Sequence, residues 1–461
     1  MAKAAAEYGS LPFKEQIEFF RAKLNLPTAH WTDIYTKEHD WAFVVAGATR
    51  DALLCDLRAA VEKAISQGTT LEEFRRDFDS IVDKHGWHGW TGEDRKGGKA
   101  WRTRTIYETN LATSYAAGRY QQLQHAPLWR YVHADWVTHP RPEHLAWDGL
   151  ILPKDDPWWN THFPPNGWGC KCSVQGVWLD ELGDFGKKAP DAAPPDEPVT
   201  HEIGKRSPLG PRRVTVPAGI DPGFEYTPGK ARTEALTLKE HPDRPPETPA
   251  EYAKRTGDTK PPVTGGASGH GFPNRRPTLP LLPPTVATDD DLLPPGWEPQ
   301  KYAEAFLKEF GADKKEGFWK DAVGEVIAIN EELFKDRKGK WKIKRGRGPW
   351  MLLLARALKE PDEIWARLQY NYATKTSTIR RRYVSSFELN GKDTPVLIVF
   401  ERDSNGKWQG TTAFKNDDEG DAPAQDENDW RIGTLLYRRE GKKKGQRAAS
   451  RRPLPGVGSV P

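Results

Sequence analysis

Pro164-Pro165-Asn166-Gly167-Trp168-Gly169-Cys170-Lys171-Cys172 closes a stretch that opens upstream with Asp135, Arg141-Pro142-Glu143-His144 and Trp147-Asp148-Gly149. A cysteine pair one residue apart, downstream of a histidine in a turn-rich region, offers three soft ligands of the type that hold zinc. His144, Cys170 and Cys172 are therefore the candidate metal ligands, with His139 or His162 as the fourth. The competing expectation is a tryptophan-packed loop in which His144 bonds a turn carboxylate such as Asp148. The Cys-x-Cys spacing is tighter than the usual Cys-x2-Cys of zinc sites. A hydrolytic set of His144, Asp148 and Cys170 is available in residue type, but no nucleophile elbow accompanies it.

Around this stretch, residues 125–180 carry Trp129, Trp136, Trp147, Trp158, Trp159, Trp168 and Trp178 and lose helical periodicity. A small loop-rich domain with short strands is expected, held by aromatic packing or a metal because aliphatic material is scarce. Residues 1–124 read as helical: Leu53, Leu54, Leu57, Val61 and Ile65, then Leu71, Phe74, Phe78 and Ile81, recur at helical spacing. Thr70-Leu71-Glu72-Glu73 has the form of a capping box, and Gly68 ends the helix before it. Gly118 allows another element to approach, and Arg119 is expected to meet an acidic partner.

Residues 181–299 hold 23 of the chain's 39 prolines and little periodic apolar pattern, which predicts an extended linker. Its island Asp221–Lys230 is expected to dock onto a neighbour. From Pro299 order returns. Tyr302, Phe306, Leu307 and Phe310 mark one helix, Trp350–Lys359 a second, and Pro361-Asp362-Glu363 the start of a third that carries Ile364, Trp365 and Leu368. Trp365, at helical spacing, is expected in the core. Strands are expected at Arg382–Leu389, Pro395–Phe400, Trp408–Phe414 and Ile432–Tyr437, with Asp403-Ser404-Asn405-Gly406 as a hairpin turn. Residues 300–440 thus form an α+β domain with an antiparallel sheet, and 441–461 a basic disordered tail. The fold class is multidomain α+β.

The run from Asp135 to Cys172 resembles the phage Mu F-like minor head proteins over about residues 50–180, and Asp221–Lys230 resembles a segment found downstream in them. The resemblance implies a virion protein of the head, close to the portal, acting in head morphogenesis, with the portal protein, other head proteins and viral DNA as partners. Relatives of this kind carry cysteines at the positions of His144 and Arg141, which implies a metal ancestry and leaves this chain one ligand short. The element order after residue 299 resembles phage domains grouped with barnase, EndoU, colicin and RelE nucleases. The matching stretches are Asp321–Phe334, Trp341–Leu358, Pro361–Trp365, Arg380–Phe387 and Gly433–Arg438. That resemblance implies a toxin-like domain that cleaves host RNA.

All twelve histidines lie at or before His270, so residues 300–440 cannot use a histidine acid or base. A metal-independent endoribonuclease would then draw on Lys344, Arg345, Arg347, Arg380, Arg381, Arg382, Tyr383, Thr411, Thr412 and Lys415. Within that set, Arg380 or Arg382 is expected as phosphate clamp, Tyr383 or Glu401 as proton carrier, and Thr412 with Lys415 as further phosphate contacts. The alternative is a purely structural protein whose C-terminal domain binds DNA or another head protein. Basic runs at 338–347 and 438–452 suit either reading. No segment has the length and apolarity of a membrane helix, and Met1–Glu7 lacks a signal peptide's apolar stretch. With three cysteines only, a disulfide framework is not expected, and the chain is placed in the host cytoplasm during assembly.

Overall fold

A computed structural model describes residues 13–237 except 208, and 279–440 except 313–315, 336–338, 342, 344–345, 372–375, 403–407 and 416–429. The expected hairpin turn at 403–406, the basic tail 441–461 and Lys344 and Arg345 lie outside these residues.

Four helices lead the chain: α1 (Lys14–Arg21), α2 (Asp51–Gln67), α3 (Leu71–His85) and α4 (Gly98–Leu123). Two-residue strands β1 (Leu24–Asn25) and β2 (Ala42–Phe43) pair between α1 and α2. Thr70 caps α3 as a capping box with Glu73, and Gly68 ends α2 in the left-handed conformation, as the sequence predicts. Phe20, Leu53, Leu54, Leu57, Phe74 and Phe78 form the core of this bundle. Gly118 on α4 is pressed against α1: a Cβ there would lie 2.8 Å from the backbone nitrogen of Gln16 and from the Phe13 ring. Arg119 bonds the side chain of Gln122 and the carbonyl of Val174.

A three-stranded sheet follows, with β3 (Leu128–Val132) between β4 (Ile151–Pro153) and β5 (Ser173–Val177), and short helices α5 (Pro142–Ala146) and α6 (Trp159–His162) beside it. Its core is aromatic: Trp129, Tyr131, Trp147, Trp158, Trp159 and Phe163 are all buried and meet mainly edge to face. The expected unpacked linker does not begin at 181. Residues 198–217 form a hairpin of β6 (Pro198–Ile203) and β7 (Arg212–Pro217). Ile220 and Phe224 of the docking island join the aromatic core, and helix α7 (Lys230–Thr237) follows. Few apolar residues serve here, but Ile220 and Phe224 are placed against an existing core, which periodicity counting cannot detect. Residues 238–278 lie outside the described set.

The C-terminal part is an eight-stranded sheet in the order β15-β11-β12-β13-β14-β10-β9, with β8 (Thr285–Val286) also pairing β12. The strands are β9 (Gly317–Lys320), β10 (Val326–Ile329), β11 (Glu363–Asn371), β12 (Thr376–Leu389), β13 (Lys392–Arg402), β14 (Trp408–Lys415) and β15 (Thr434–Arg438). Pairing is antiparallel except for β10 with β14 and β8 with β12. Helices α8 (Pro299–Lys308) and α9 (Met351–Lys359) supply residues to the core on one face. The helix expected from Pro361 is strand β11 instead. Ile364, Ala366 and Leu368 join the core with those helices, while Trp365 points into a second cluster with Val384, Val399 and Trp430. Both faces of β11 are covered, so the polar alternation of a half-buried strand is missing. Trp365 is core, as expected.

The helix-side core does not stop at residue 300. Leu26, Ile34, Trp41 and Ala42 from the N-terminal part lie in it, together with Ala287. Thr434 Oγ1 donates to the carbonyl of Pro27 at 2.9 Å. Among the described residues no helix is long and apolar enough to cross a membrane.

Candidate metal centre and candidate nuclease sheet

The ligand atoms of His144, Cys170 and Cys172 all lie within 4.8 Å of one another. His144 Nδ1 is 3.8 Å from Cys170 Sγ and 3.5 Å from Cys172 Sγ. A tetrahedral zinc with bonds of about 2.0 Å to nitrogen and 2.3 Å to sulfur would separate those atoms by roughly 3.5 Å. The residues present therefore fit the ion. His144 Nε2 sits 2.9 Å from the carbonyl of Gly219. Donation to that carbonyl leaves Nδ1 with its lone pair toward the thiols, the tautomer a metal needs. Gly219 reaches this place with φ +80, and a Cβ on it would strike Glu143 at 2.6 Å, so glycine is required to bring its carbonyl to the imidazole.

Neither sequence candidate for a fourth ligand joins this group of three. His139 is exposed. His162 is buried, stacks on Trp158, and turns its ring nitrogens to the carbonyl of Trp158 and to Asp196. His133 Nδ1 lies 3.5 Å from Cys172 Sγ, yet among the described residues only His144, Cys170 and Cys172 have ligand atoms all within 4.8 Å of one another. His133 is buried, and its backbone amide donates to Asp148, so Asp148 orients the loop and does not bond His144. Strand register explains the geometry: Val132 pairs with Ser173 in the β3–β5 ladder, which sets the next residues, His133 and Cys172, side by side. Arg141 forms an ion pair with Asp221 at 2.7 Å. The thiols are interdependent: the hydrogen bond from Cys172 pulls Cys170 well below the usual thiol range, and that bond with burial pushes Cys172 up. One ready thiolate is what a metal ligand requires.

On the C-terminal sheet, alternation along β12 sends Arg380 and Arg382 one way and Arg381 and Tyr383 the other. Arg380 is held by Glu401 across the β12–β13 ladder, with contacts of 2.9 and 2.8 Å. Arg382 is buried and donates to the carbonyl of Trp430. Tyr383 is fully buried; its hydroxyl donates to Asp321 at 2.8 Å, and burial raises its pKa well above the ordinary value. A proton carrier must meet solvent-borne substrate, and Tyr383 is sealed in the core. Arg381 is equally buried and bridges Asp321 at 2.8 Å. Thr412 and Lys415 lie on β14 opposite Val399 and Val396; their side chains lie outside the described residues. The structure thus pairs Arg380 with Glu401, turns Arg382 on the same face to the Trp430 carbonyl, and puts Tyr383 on the opposite face.

A second cluster on this domain escaped the sequence reading. Glu363, at the start of β11, accepts from Arg431 at 2.7 and 2.9 Å, from Arg438 at 2.7 Å and from the Trp365 indole at 2.8 Å. Its neighbour Asp362 accepts from Arg439 at 2.6 Å. The signal was the pairing of β11 with β15, which aligns Glu363 with Arg438.

Comparison with known proteins matches the two halves to different families. The family described as phage Mu protein F like protein matches residues 56–175, the segment that positions the His/Cys group. Residues 56–175 form a Mu F-like domain. The family described as phage-Barnase-EndoU-ColicinE5/D-RelE like nuclease2 matches residues 305–438, so the same chain also carries a nuclease-like domain. Among curated relatives, "Putative capsid assembly protein F" of Escherichia phage Mu is 35% identical over 242 residues, covering 48% of this chain and 55% of that protein. The "Mu-like prophage FluMu F protein" of Haemophilus influenzae is 38% identical over 159 residues, 32% of this chain and 38% of that one. The matches therefore span about half or less of these relatives' length. No solved structure matches.

Proposed function

We propose that this Mu F-like chain is a minor protein of a phage head, acting in head assembly close to the portal, and that its C-terminal domain cleaves RNA without a metal. The observation that carries the reading is the joining, in one chain, of a Mu F-like domain with relatives named for capsid assembly and a nuclease-like domain. Other head proteins are its expected partners, with the portal protein and viral DNA beside them, in the virion and, during assembly, in the host cytoplasm. Zinc is the expected ion of the His144, Cys170 and Cys172 group, with His133 beside Cys172 as the fourth ligand once the loop closes on the ion, where it would clamp β3 to β5 as a structural ion.

Expression of the full chain in bacteria tests the nuclease half. Growth arrest with fragmented RNA, from the unaltered chain or from its Leu279→Ser, Leu282→Ser variant, supports it, and healthy growth with intact RNA at high soluble yield from both removes it. The reading of the C-terminal domain as a pure binding module gains from one observation: Arg382 and Tyr383 are committed to structural contacts. Tight DNA binding without RNA cleavage by the same purified chain would establish that alternative.

A further inference from the structure

The Glu363 cluster has an unusual cover. β11 begins opposite Val384 of β12, and beyond that point Thr285 and Val286 of β8 take over the same edge, pairing with Phe387 and Glu388. The residues just before β8, Leu279-Pro280-Leu281-Leu282-Pro283-Pro284, cross the arginine cluster. Arg431 donates to the carbonyls of Leu279 at 2.9 Å and Pro280 at 3.4 Å. Arg438 donates to Pro280 at 2.7 Å, and Arg439 to Pro283 at 3.1 Å. A small open pocket remains beside the strap, lined among others by Leu282, Glu363, Ser385 and Arg431, with Asp393 also at its wall.

Three guanidinium groups therefore share two kinds of acceptor. Their inner donors are fixed on the carboxylates of Asp362 and Glu363, which orients the forks. Their outer donors meet a row of neutral main-chain carbonyls. Prolines at 280, 283 and 284 have no N–H, so the strap presents mainly acceptors to this face. Pro280 and Pro283 stand three residues apart, the repeat at which an extended proline-rich chain returns the same side. A row of acceptors facing oriented arginines is what a nucleic-acid backbone offers, and phosphate oxygens, being charged, bind guanidinium more strongly than carbonyls do.

We propose that Arg431, Arg438 and Arg439 form the phosphate-binding site through which the C-terminal domain takes single-stranded RNA, and that residues 279–284 are a built-in strap occupying that site. This rests on the nuclease reading above. The strap is tethered, so its high effective concentration masks the site in the intact chain. Displacing it exposes the outer donors to the RNA backbone, while Asp362 and Glu363 keep the arginines aimed. Asp393 repels the ligand from the pocket wall.

The test uses the full chain and a fluorescent single-stranded RNA oligonucleotide. Leu279 packs against the Trp365–Trp430 cluster and Leu282 is half-buried, so Leu279→Ser with Leu282→Ser loosens the strap without touching an arginine. RNA affinity should rise on the order of tenfold or more, and Arg438→Ala with Arg439→Ala in the same background should abolish the gain. Faster amide exchange at 281–286 with unchanged RNA affinity overturns the proposal, as does a gain that survives both arginine substitutions. An equal gain for DNA of the same sequence overturns the assignment to RNA. If the double serine variant leaves the strap's exchange unchanged, the unaltered chain decides. Saturating RNA must then speed exchange at Leu279, Leu281 and Leu282, and unchanged exchange overturns the site. Strap-dependent binding of RNA that stays intact would keep this inference and remove the cleavage reading; cleavage with strap-independent binding would do the reverse.

Discussion

Glu325 Oε2 lies 2.6 Å from the backbone nitrogen of Asp51, bringing together residues 274 apart in the chain. Asp51 opens α2, whose N-cap residue, Arg50, provides no side-chain cap. A carboxylate of the nuclease-like domain thus caps a helix of the N-terminal part, where free amides and the helix dipole favour an anion. Glu325→Ala should lower stability to chemical denaturation by about 1–2 kcal/mol. It should also raise amide exchange at the first turn of α2. Exchange confined to β10 would contradict the capping role.

Behind Glu325, Arg381 is fully buried against Asp321, whose carboxylate also takes the Tyr383 hydroxyl. Removing one partner of such a pair strands the other charge in the core, at a cost of about 3–5 kcal/mol. Arg381→Ala is therefore expected to relieve any toxicity by unfolding the domain, seen as loss of the cooperative transition. Arg381→Ala with Asp321→Ala should recover part of the loss. A well-folded but inactive Arg381→Ala chain would instead make this arginine functional.

Asp40 supplies the pH dependence. It is buried, its carboxylate accepts from the amide of Gly229, and burial pushes its pKa up to about 6 from 3.8. A raised carboxyl is more easily protonated in the fold than in the open chain. Its contribution is complete below the ordinary value and disappears as pH climbs through about 6. Relative to Asp40→Asn, the unaltered chain should lose stability between those two values, by at most about 1.4 kcal/mol per pH unit. Parallel melting curves of the two proteins over that range would count against it.

For the metal centre, the purified chain should hold one zinc. Cys170→Ser and Cys172→Ser should each lower the bound fraction, His133→Ala should do so as well, and His139→Ala should leave it untouched. Elemental analysis after dialysis separates these outcomes. Equal loss from His133→Ala and His139→Ala would dismiss the register argument.

Much of this is legible in the amino-acid sequence alone. The caps of α2 and α3 are local chemistry, written in Gly68 and Thr70-x-x-Glu73, and the His144, Cys170 and Cys172 grouping follows from residue type in a turn-rich stretch. His133 was missed because its place depends on which strands pair and in what register, information spread over 40 residues between Val132 and Ser173. Glu363 was missed for a related reason: its partners Arg431 and Arg438 arrive through β15. Tyr383 and Arg382 looked available because a sequence shows which residues share a face of a strand, not which face is covered. The linker from 181 to 237 read as unpacked because prolines hid a few well-placed anchors such as Ile220 and Phe224.

Leu26, Ile34, Trp41 and Ala42 stand inside the core of the nuclease-like half. Cutting one peptide bond between 238 and 278 would accordingly not set that half free. It would turn a folded chain into a two-fragment complex, whose separation would depend on dilution or mechanical pulling and not on proteolysis alone.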